Sequence, residues 1–234
     1  MINCLITLFF IVTSAVWWLG VLLFALPVVL LSRKKIQDQS LLRSFYNITY
    51  LAANKRFIWW THKNLEKFIK TNDRVLDLGS GSGFLGKEIA NHCNAKVTLC
   101  DIVDLNQTDL PLTIYNGIKL PFADKEFDIV IISFVLHHCY KQTPVLKEAK
   151  RVCLGKLIIC EDNKEGIVAQ FCTRMHGLFF NWLSRLGASC CFRSKMQWEK
   201  LFSRLGFKIL VSQTGWRISA INYPVKECFF VLEV

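Results

Sequence analysis

A glycine-rich stretch is the part of the sequence best suited to chemistry. It runs from Asp77 to Gly83 with glycine at every second position, and it lies between an apolar strand and a helical stretch. Backbone N–H groups can approach a ligand closely at glycine, because no side chain stands in the way. The stretch therefore predicts a site for a nucleotide-like cofactor.

The same residues fit two classes of cofactor site. Residues Gly81 to Gly86 match the G-x-G-x-x-G pattern of dinucleotide enzymes. Asp101 follows about twenty residues later, where an acid that binds a ribose is expected. The glycine pattern alone leaves a nicotinamide-binding domain open.

Two adjacent histidines are the candidates for catalysis. His137 and His138 follow the predicted fourth strand, and open α/β sheets place their ligands at the carboxyl ends of strands. One of them could act as a general base, or both could cap the turn and line the pocket. Weaker candidates are His62, His92 and His176. Glu161 and Asp162 end the fifth strand, and a solvated strand exit is the favoured interpretation of these two acids.

The elements that must position these residues alternate between strand and helix. The predicted strands are Arg74–Leu78, Lys96–Cys100, Leu112–Tyr115, Phe127–Ser133, Lys156–Cys160, Phe207–Ser212 and Cys228–Glu233. The predicted helices are Phe84–His92, Pro144–Cys153 and Met196–Leu205, with Gly206 as a left-handed cap. The β-branched run Ile129–Ile132 is typical of a parallel strand buried on both faces. No helix separates the last two strands, so we expect them to pair antiparallel.

The segment that contains the glycine turn and three later segments resemble the class I S-adenosylmethionine-dependent methyltransferases, in particular the methyltransferase type 11 branch that modifies small molecules and lipids. Val75–Gly83 is similar to the family's first strand and its acid-G-x-G-x-G turn, and Asn116–Phe122 to its D-x-x-x-L-P-F segment. Phe127–His138 resembles the fourth strand and its exit, and Glu148–Val152 the following helix. The resemblance covers about residues 73–161.

The resemblance implies a fold, a cofactor and a set of site residues. The fold is an α/β, Rossmann-like methyltransferase sheet of mostly parallel seven strands with an antiparallel C-terminal strand. The cofactor is S-adenosyl-L-methionine, with the Asp101 carboxylate on the ribose hydroxyls. The family commonly has Asp where this chain has Asn116, but an amide carbonyl can also accept the adenine N–H. The implied cofactor-binding residues are Asp77, Gly79, Ser80, Gly81, Gly83, Phe84, Asp101, Ile102, Asn116, Gly117, Ser133 and Phe134.

A membrane anchor is expected to precede this domain. No charged side chain occurs from Cys4 to Leu31, and a helix of about 28 residues is roughly 42 Å long, more than the ~30 Å hydrocarbon core requires. A cleaved signal peptide is the alternative, but this segment is longer than the usual apolar region and lacks a basic start. Three basic residues, 33–35, follow at once, so the positive-inside rule predicts a single-pass protein with its catalytic domain on the cytoplasmic side.

The predicted organisation is an anchor over 1–32, basic N-terminal helices over 33–72 and a methyltransferase domain over 73–234. Net charge is +11, distributed as +7 over residues 33–76, −2 over 77–162 and +6 over 163–234. Basic residues beside an anchor favour an anionic bilayer as partner, and no motif for nucleic acid interleaves aromatic and basic residues. Residues 163–195 would form a helical lid, either an amphipathic helix on the membrane surface or an ordinary helix packed on the core.

The ten cysteines are scattered and do not form paired C-x-x-C motifs, so the sequence predicts neither a metal site nor a disulfide framework. The function that these patterns favour is methyl transfer to a hydrophobic small molecule or lipid, such as a quinone or isoprenoid. The alternatives are an inactive scaffold that keeps the fold, and a protein or RNA methyltransferase. Oligomeric state is not predicted.

Overall fold

The computed structural model describes residue 61 and residues 63–184, 191–216 and 223–234. Its strands are β1 (Arg74–Leu78), β2 (Lys96–Asp101), β3 (Leu112–Ile114), β4 (Phe127–Ser133), β5 (Cys153–Asp162), β6 (Lys208–Trp216) and β7 (Lys226–Glu233). Its helices are α1 (Phe84–Cys93), α2 (Gln142–Val152), α3 (Ile167–Ser184) and α4 (Lys195–Arg204). Short 3₁₀ helices span Glu66–Phe68 and Leu136–His138.

These strands form one seven-stranded sheet in the order β3-β2-β1-β4-β5-β7-β6. Strands β1 to β5 pair in parallel, whereas β7 is antiparallel to both β5 and β6. The predicted sheet and its antiparallel C-terminal strand are confirmed. The strand order reverses between β1 and β4, and ligands of open α/β sheets bind outside the carboxyl ends of the strands at such a point.

Hydrophobic layers cover both faces of the sheet, because successive side chains of a strand point to opposite sides. In β4, Val130 and Ile132 belong to the layer that contains buried residues of α2 and α4. Ile129 and Ile131 belong to the opposite layer, which contains Ile89 of α1. The β-branched run is therefore buried on both faces, as predicted.

Strand β5 is longer at both ends than the sequence predicts. It begins at Cys153, where the sequence predicts the end of a helix, and continues to Asp162, two residues beyond the predicted end. Cys153 pairs with Phe127 of β4, and Glu161 and Asp162 pair with residues of β7. Pairing with strands far along the chain sets this length, and local sequence does not report such partners.

Helix α3 forms most of the predicted lid, and its two sides differ. Ala169 and Cys172 pack against Val225 at the start of β7. Ile167 and Leu178 are exposed, at 81% and 61%. The expected amphipathic pattern also includes residues 179–186, whose side chains lie outside the described residues. The helix thus packs on the domain through one side and leaves apolar residues exposed elsewhere.

The predicted membrane anchor and most of the N-terminal helices fall in residues 1–60, outside the described residues. Within the described ranges, no helix is both long and apolar enough to cross a bilayer. The cysteines in those ranges do not form disulfide bonds with one another.

Candidate cofactor and active site

The turn after β1 has the backbone conformation that its glycines permit. Gly79, Gly81 and Gly83 have φ angles of +76°, +52° and +78°. Residues with a Cβ rarely adopt this left-handed region. The Gly79 N–H donates to the carbonyl of Cys100 over 2.7 Å, and the Gly83 N–H to that of Ser80 over 2.9 Å. The first bond holds the turn against the end of β2, and the second closes the turn on itself.

Two of the three glycines are also required by their neighbours. A Cβ on Gly79 would lie 2.6 Å from Cγ1 of Val135, and one on Gly83 would lie 2.7 Å from Cδ1 of Leu99. At Gly81 a Cβ would meet no atom within 4 Å. Among the described residues, therefore, Gly81 is the glycine of the turn that faces open space, where a ligand can approach the backbone.

Asp101, the last residue of β2, holds the open side of the turn. Its carboxylate accepts a hydrogen bond from the Gly81 N–H at 2.8 Å and another from the Ile102 N–H at 2.7 Å. Burial raises the pKa of Asp101, and these N–H donors oppose that shift. Gly117 and the half-exposed Ile102 lie next to each other beside this acid. The structure thus brings together four of the predicted cofactor-binding residues: Gly81, Asp101, Ile102 and Gly117.

Asp77 lies inside β1, and its side chain is only 2% exposed. Its Oδ2 atom is buried without a hydrogen-bond partner in the described part of the chain. Burial, followed by repulsion from Asp101, raises the pKa of Asp77 to about 7, while the Gly86 N–H lowers it. Asp77 is therefore a buried acceptor next to the glycine turn, and a cationic ligand would favour its ionised form.

The loop that carries Asn116 is held by a pair of charged residues on α2. Glu148 accepts the Leu120 N–H, while Arg151 donates to the carbonyls of Leu120 and Phe122 and to Glu148 itself. Arg151 lowers the pKa of Glu148. This explains why the loop and α2 segments occur together in the family pattern: the second segment positions the first.

Asn116 is exposed, and its side-chain carbonyl accepts the N–H groups of Ile118 and Lys119 at 3.0 and 3.1 Å. These two bonds use the side-chain oxygen of Asn116, which is predicted to accept a hydrogen bond from the adenine N–H. The adenine role of Asn116 remains a prediction, and it requires this turn to rearrange.

Ser133 ends β4, and the chain then turns toward the glycines. Phe134 has a φ of +57°, and its N–H donates to the carbonyl of Cys160 over 2.8 Å. This conformation directs Val135 against Gly79. Ser80, like Asp77, has a buried side-chain oxygen without a hydrogen-bond partner among the described residues. Val135 was missed by sequence reasoning, because an apolar residue after a strand carries no chemical signal.

The two candidate histidines lie in a buried group of rings. His137 stacks on Phe192 at a centroid distance of 4.5 Å, with His138 at 4.0 Å and His176 of α3 at 5.5 Å. Burial, together with His137 and His176, lowers the pKa of His138. The sequence makes His176 a weak candidate for catalysis because it lies 38 residues from His138. Only the packing of α3 places it beside the other two histidines.

Glu161 and Asp162 do not form a solvated strand exit, so that interpretation is wrong. They are 0% and 2% exposed. Glu161 accepts the Leu136 N–H and lies 2.6 Å from Nδ1 of His137, and Asp162 accepts the hydroxyl of Tyr223 at 2.9 Å. Their burial follows from the pairing of β5 with β7 and from the histidine turn that covers them.

A separate cavity of about 370 Å³ lies on the outer side of the histidine turn. Gln142 is its most connected residue, donating to the carbonyls of Leu136 and Cys191 and accepting from Arg193. The cavity is lined by Tyr140, Lys141, Gln142, Thr143, Pro144, Cys191 and Arg193. It contains none of the predicted cofactor residues, so we do not assign the cofactor to it.

Comparison with known proteins agrees with this geometry. Residues 76–156 match a family model described as a methyltransferase domain. A demethylmenaquinone methyltransferase of Mycobacterium sp. (strain KMS) is 35% identical over 123 residues, covering 48% of this chain and 52% of that protein. A ubiquinone/menaquinone biosynthesis C-methyltransferase of Rickettsia massiliae is 31% identical over 134 residues, covering 48% and 54%. The chain thus spans about half the length of these relatives.

Solved structures show the same fold. An S-adenosylmethionine-dependent methyltransferase from Aquifex aeolicus superimposes with a TM-score of 0.58 at 16% identity, over 80% of this chain and 97% of that one. The resemblance noted in the sequence is confirmed, and the cofactor that this domain and fold imply is S-adenosylmethionine.

The crowding at Gly79 predicts unequal effects of adding one methyl group to the turn. Gly79→Ala should lower the free energy of unfolding by about 2–4 kcal/mol, since it combines left-handed strain with overlap on a stiff valine. Gly81→Ala should cost only about 1 kcal/mol, from strain alone. Urea denaturation measures both. Equal losses would contradict the packing, and adding Val135→Ala should restore part of the Gly79→Ala loss.

The raised pKa of Asp77 predicts a pH dependence of stability. The folded protein without ligand binds a proton at Asp77 up to about pH 7, whereas the unfolded chain releases it near pH 4. This contribution to stability therefore falls as pH rises, by about 1.4 kcal/mol per pH unit between pH 5 and 7. The Asp77→Asn variant should lack this slope when urea denaturation is repeated at each pH.

Asp128→Asn is the matched control. Arg74 holds the pKa of the Asp128 carboxyl below its usual value, so this group is ionised in both states throughout that range. If the Asp77→Asn and wild-type proteins showed the same slope, the assigned titration of Asp77 would be wrong.

Proposed function

Because residues 76–156 carry a methyltransferase domain, we propose that the protein transfers a methyl group from S-adenosylmethionine to a hydrophobic small molecule or lipid. A quinone or an isoprenoid is the acceptor class that we favour. The observation that carries the proposal is the glycine turn, which is open at Gly81 and held there by Asp101. The chain spans only about half of its curated relatives, so activity and acceptor both belong to this proposal.

The residues around the turn suit the proposed cofactor in charge and in space. S-adenosylmethionine supplies a methyl group on a positively charged sulfur that is already a good leaving group. The buried Asp77 and the partly buried Asp101 face the turn, and negative charge held away from water favours a cationic ligand. The open backbone at Gly81 gives a ligand room that Gly79 and Gly83 do not.

Little covalent help is needed from the protein in this chemistry. Aligning the acceptor with the methyl group can lower the barrier by ~7–11 kcal/mol, and a general base matters only when the acceptor arrives protonated. His137 lies at the carboxyl edge of the sheet, but it is 2% exposed and close to Glu161. It is better placed to position other groups than to exchange protons with water.

Two features support a hydrophobic acceptor. The names of the two relatives above concern demethylmenaquinone and ubiquinone or menaquinone biosynthesis. In addition, α3 exposes Ile167, Phe171 and Leu178, which recur at helical spacing along one face of the helix. An apolar lid of this kind would allow a hydrophobic acceptor to approach from a membrane surface.

Cofactor binding and turnover can be measured separately. The purified full chain should bind S-adenosylmethionine in calorimetry, whereas Gly81→Arg should remain folded and lose binding at least tenfold, because its side chain fills the open space. Radiolabelled methyl should then appear in the organic phase when the protein is incubated with membrane lipid extracts. Met196→Arg, an exposed substitution on α4, is the control and should retain both properties.

Each result of this experiment has a distinct meaning. Binding without turnover on any extract would favour an inactive scaffold. Radiolabel in protein or RNA would favour a protein or RNA methyltransferase. Binding of nicotinamide dinucleotide in place of S-adenosylmethionine would overturn the proposal.

We also propose that residues 4–31 anchor the domain to a membrane, with the domain on the cytoplasmic side. Support comes from the uncharged length of this segment and from the basic residues that follow it.

Membrane extraction tests the anchor directly. The full chain should stay with membranes after an alkaline carbonate wash. Ala15→Arg combined with Leu19→Arg should release it, since each charge costs about 2.5–3.5 kcal/mol at the centre of a spanning helix. Ile118→Arg combined with Met196→Arg adds the same two charges at exposed positions outside the segment and should not release the protein. Release of the wild-type chain would contradict the anchor.

A further inference from the structure

Three histidines from two separate elements converge at the end of β4. His137 and His138 belong to the 3₁₀ helix after that strand, and His176 comes from α3. Each offers one ring nitrogen, and the three atoms all lie within 4.8 Å of one another. The methyltransferase resemblance includes His137 and His138 in the exit of the fourth strand, but it does not include His176, which completes the group.

One member of the cluster is already oriented by an acid. The Nδ1 atom of His137 lies 2.6 Å from Oε2 of Glu161, whose other oxygen accepts the Leu136 N–H at 2.6 Å. The network therefore assigns the proton to Nδ1 and the lone pair to Nε2. That Nε2 atom is buried and has no hydrogen-bond partner among the described residues. A buried acceptor left in this way costs free energy unless a ligand uses it.

We propose that His137, His138 and His176 bind one divalent transition-metal ion of the zinc class. The inference rests on these contacts and not on the proposed function. Carboxylate–histidine–metal arrangements are the usual way in which proteins fix the tautomer of a ligating imidazole, and Glu161 occupies the position of that carboxylate. Imidazole ligands suit zinc, copper, iron and nickel more than magnesium or calcium.

The distances in the cluster suit an ion of this size. Zinc–nitrogen bonds of about 2.0–2.1 Å around a tetrahedral ion separate the nitrogens by roughly 3.3 Å. The observed spread of up to 4.8 Å therefore needs a closing movement of up to about 1.5 Å, which ring rotation and a small shift of α3 can supply. Three protein ligands leave a fourth coordination position for water or another small ligand.

The electrostatic surroundings also favour a cation. Glu161 and Asp162 are both buried at the end of β5. Glu161 contacts His137, and Asp162 accepts a hydrogen bond from Tyr223, whose ring lies 5.8 Å from that of His176. A bound ion would connect α3 to the end of β4 and so hold the lid helix on the domain.

Zinc uptake by the full chain tests the site. After dialysis against a chelator, the wild-type protein should bind one Zn²⁺ per chain in calorimetry and elemental analysis. His138→Gln and His176→Gln should each weaken uptake at least tenfold while circular dichroism remains native. His92→Gln should behave as wild type, because His92 is exposed on α1 and contacts the carbonyl of Glu88.

The free thiols need their own control, since they also bind zinc. Cys191 is exposed next to the cluster, so Cys191→Ser should leave uptake unchanged. Cobalt in place of zinc should give an absorption spectrum without thiolate charge-transfer bands. Zinc should also raise the melting temperature of the wild-type protein and not that of His176→Gln.

Three results would overturn the inference: no zinc uptake by folded wild-type protein, equal uptake by His176→Gln, or loss of uptake in Cys191→Ser. S-adenosylmethionine binding is measured on the same samples. Failure of the metal site is therefore distinguishable from failure of the cofactor site.

Discussion

The structure depends on the close fit of the turn that follows β1. Val135 leaves no room for a side chain at Gly79, and the Asp101 carboxylate holds the backbone at Gly81. These contacts come from the ends of β4 and β2, the two strands that flank β1 in the sheet. The turn can therefore form only when the parallel sheet has assembled, and the shape of the site is a direct consequence of strand order.

The same edge of the sheet concentrates buried acids. Asp77, Asp101, Glu161 and Asp162 lie at or near the carboxyl ends of three strands; Asp101 is partly buried and the other three are buried. Burial of negative charge without full compensation is costly, and the raised pKa of Asp77 expresses that cost. Cationic ligands reduce this cost of burying negative charge. The proposed cofactor and the proposed metal ion both carry positive charge, so one electrostatic property of the sheet would serve two neighbouring sites.

Local sequence was sufficient for most of the fold. The period of apolar residues and the position of glycines located all seven strands, and the continuous run in β4 indicated burial on both faces. Prediction from local sequence failed where the end of a strand depends on pairing with a strand far along the chain. Strand β5 is longer than predicted because β4 and β7 pair with its ends. The sequence predicts that Glu161 is exposed to solvent, because it does not report which later strand will cover an acid.

Local chemistry thus determined what the sequence by itself could determine: the glycine turn, the acid after β2 and the alternation that builds a methyltransferase sheet. Those features act over a few residues, where backbone conformation and side-chain period are set. Tertiary structure decided the rest. It placed His176 beside His137, directed Val135 onto Gly79 and occupied the carbonyl of Asn116 within its own loop. Each of these contacts depends on packing between elements distant in the chain or on a turn geometry, and residue spacing encodes neither.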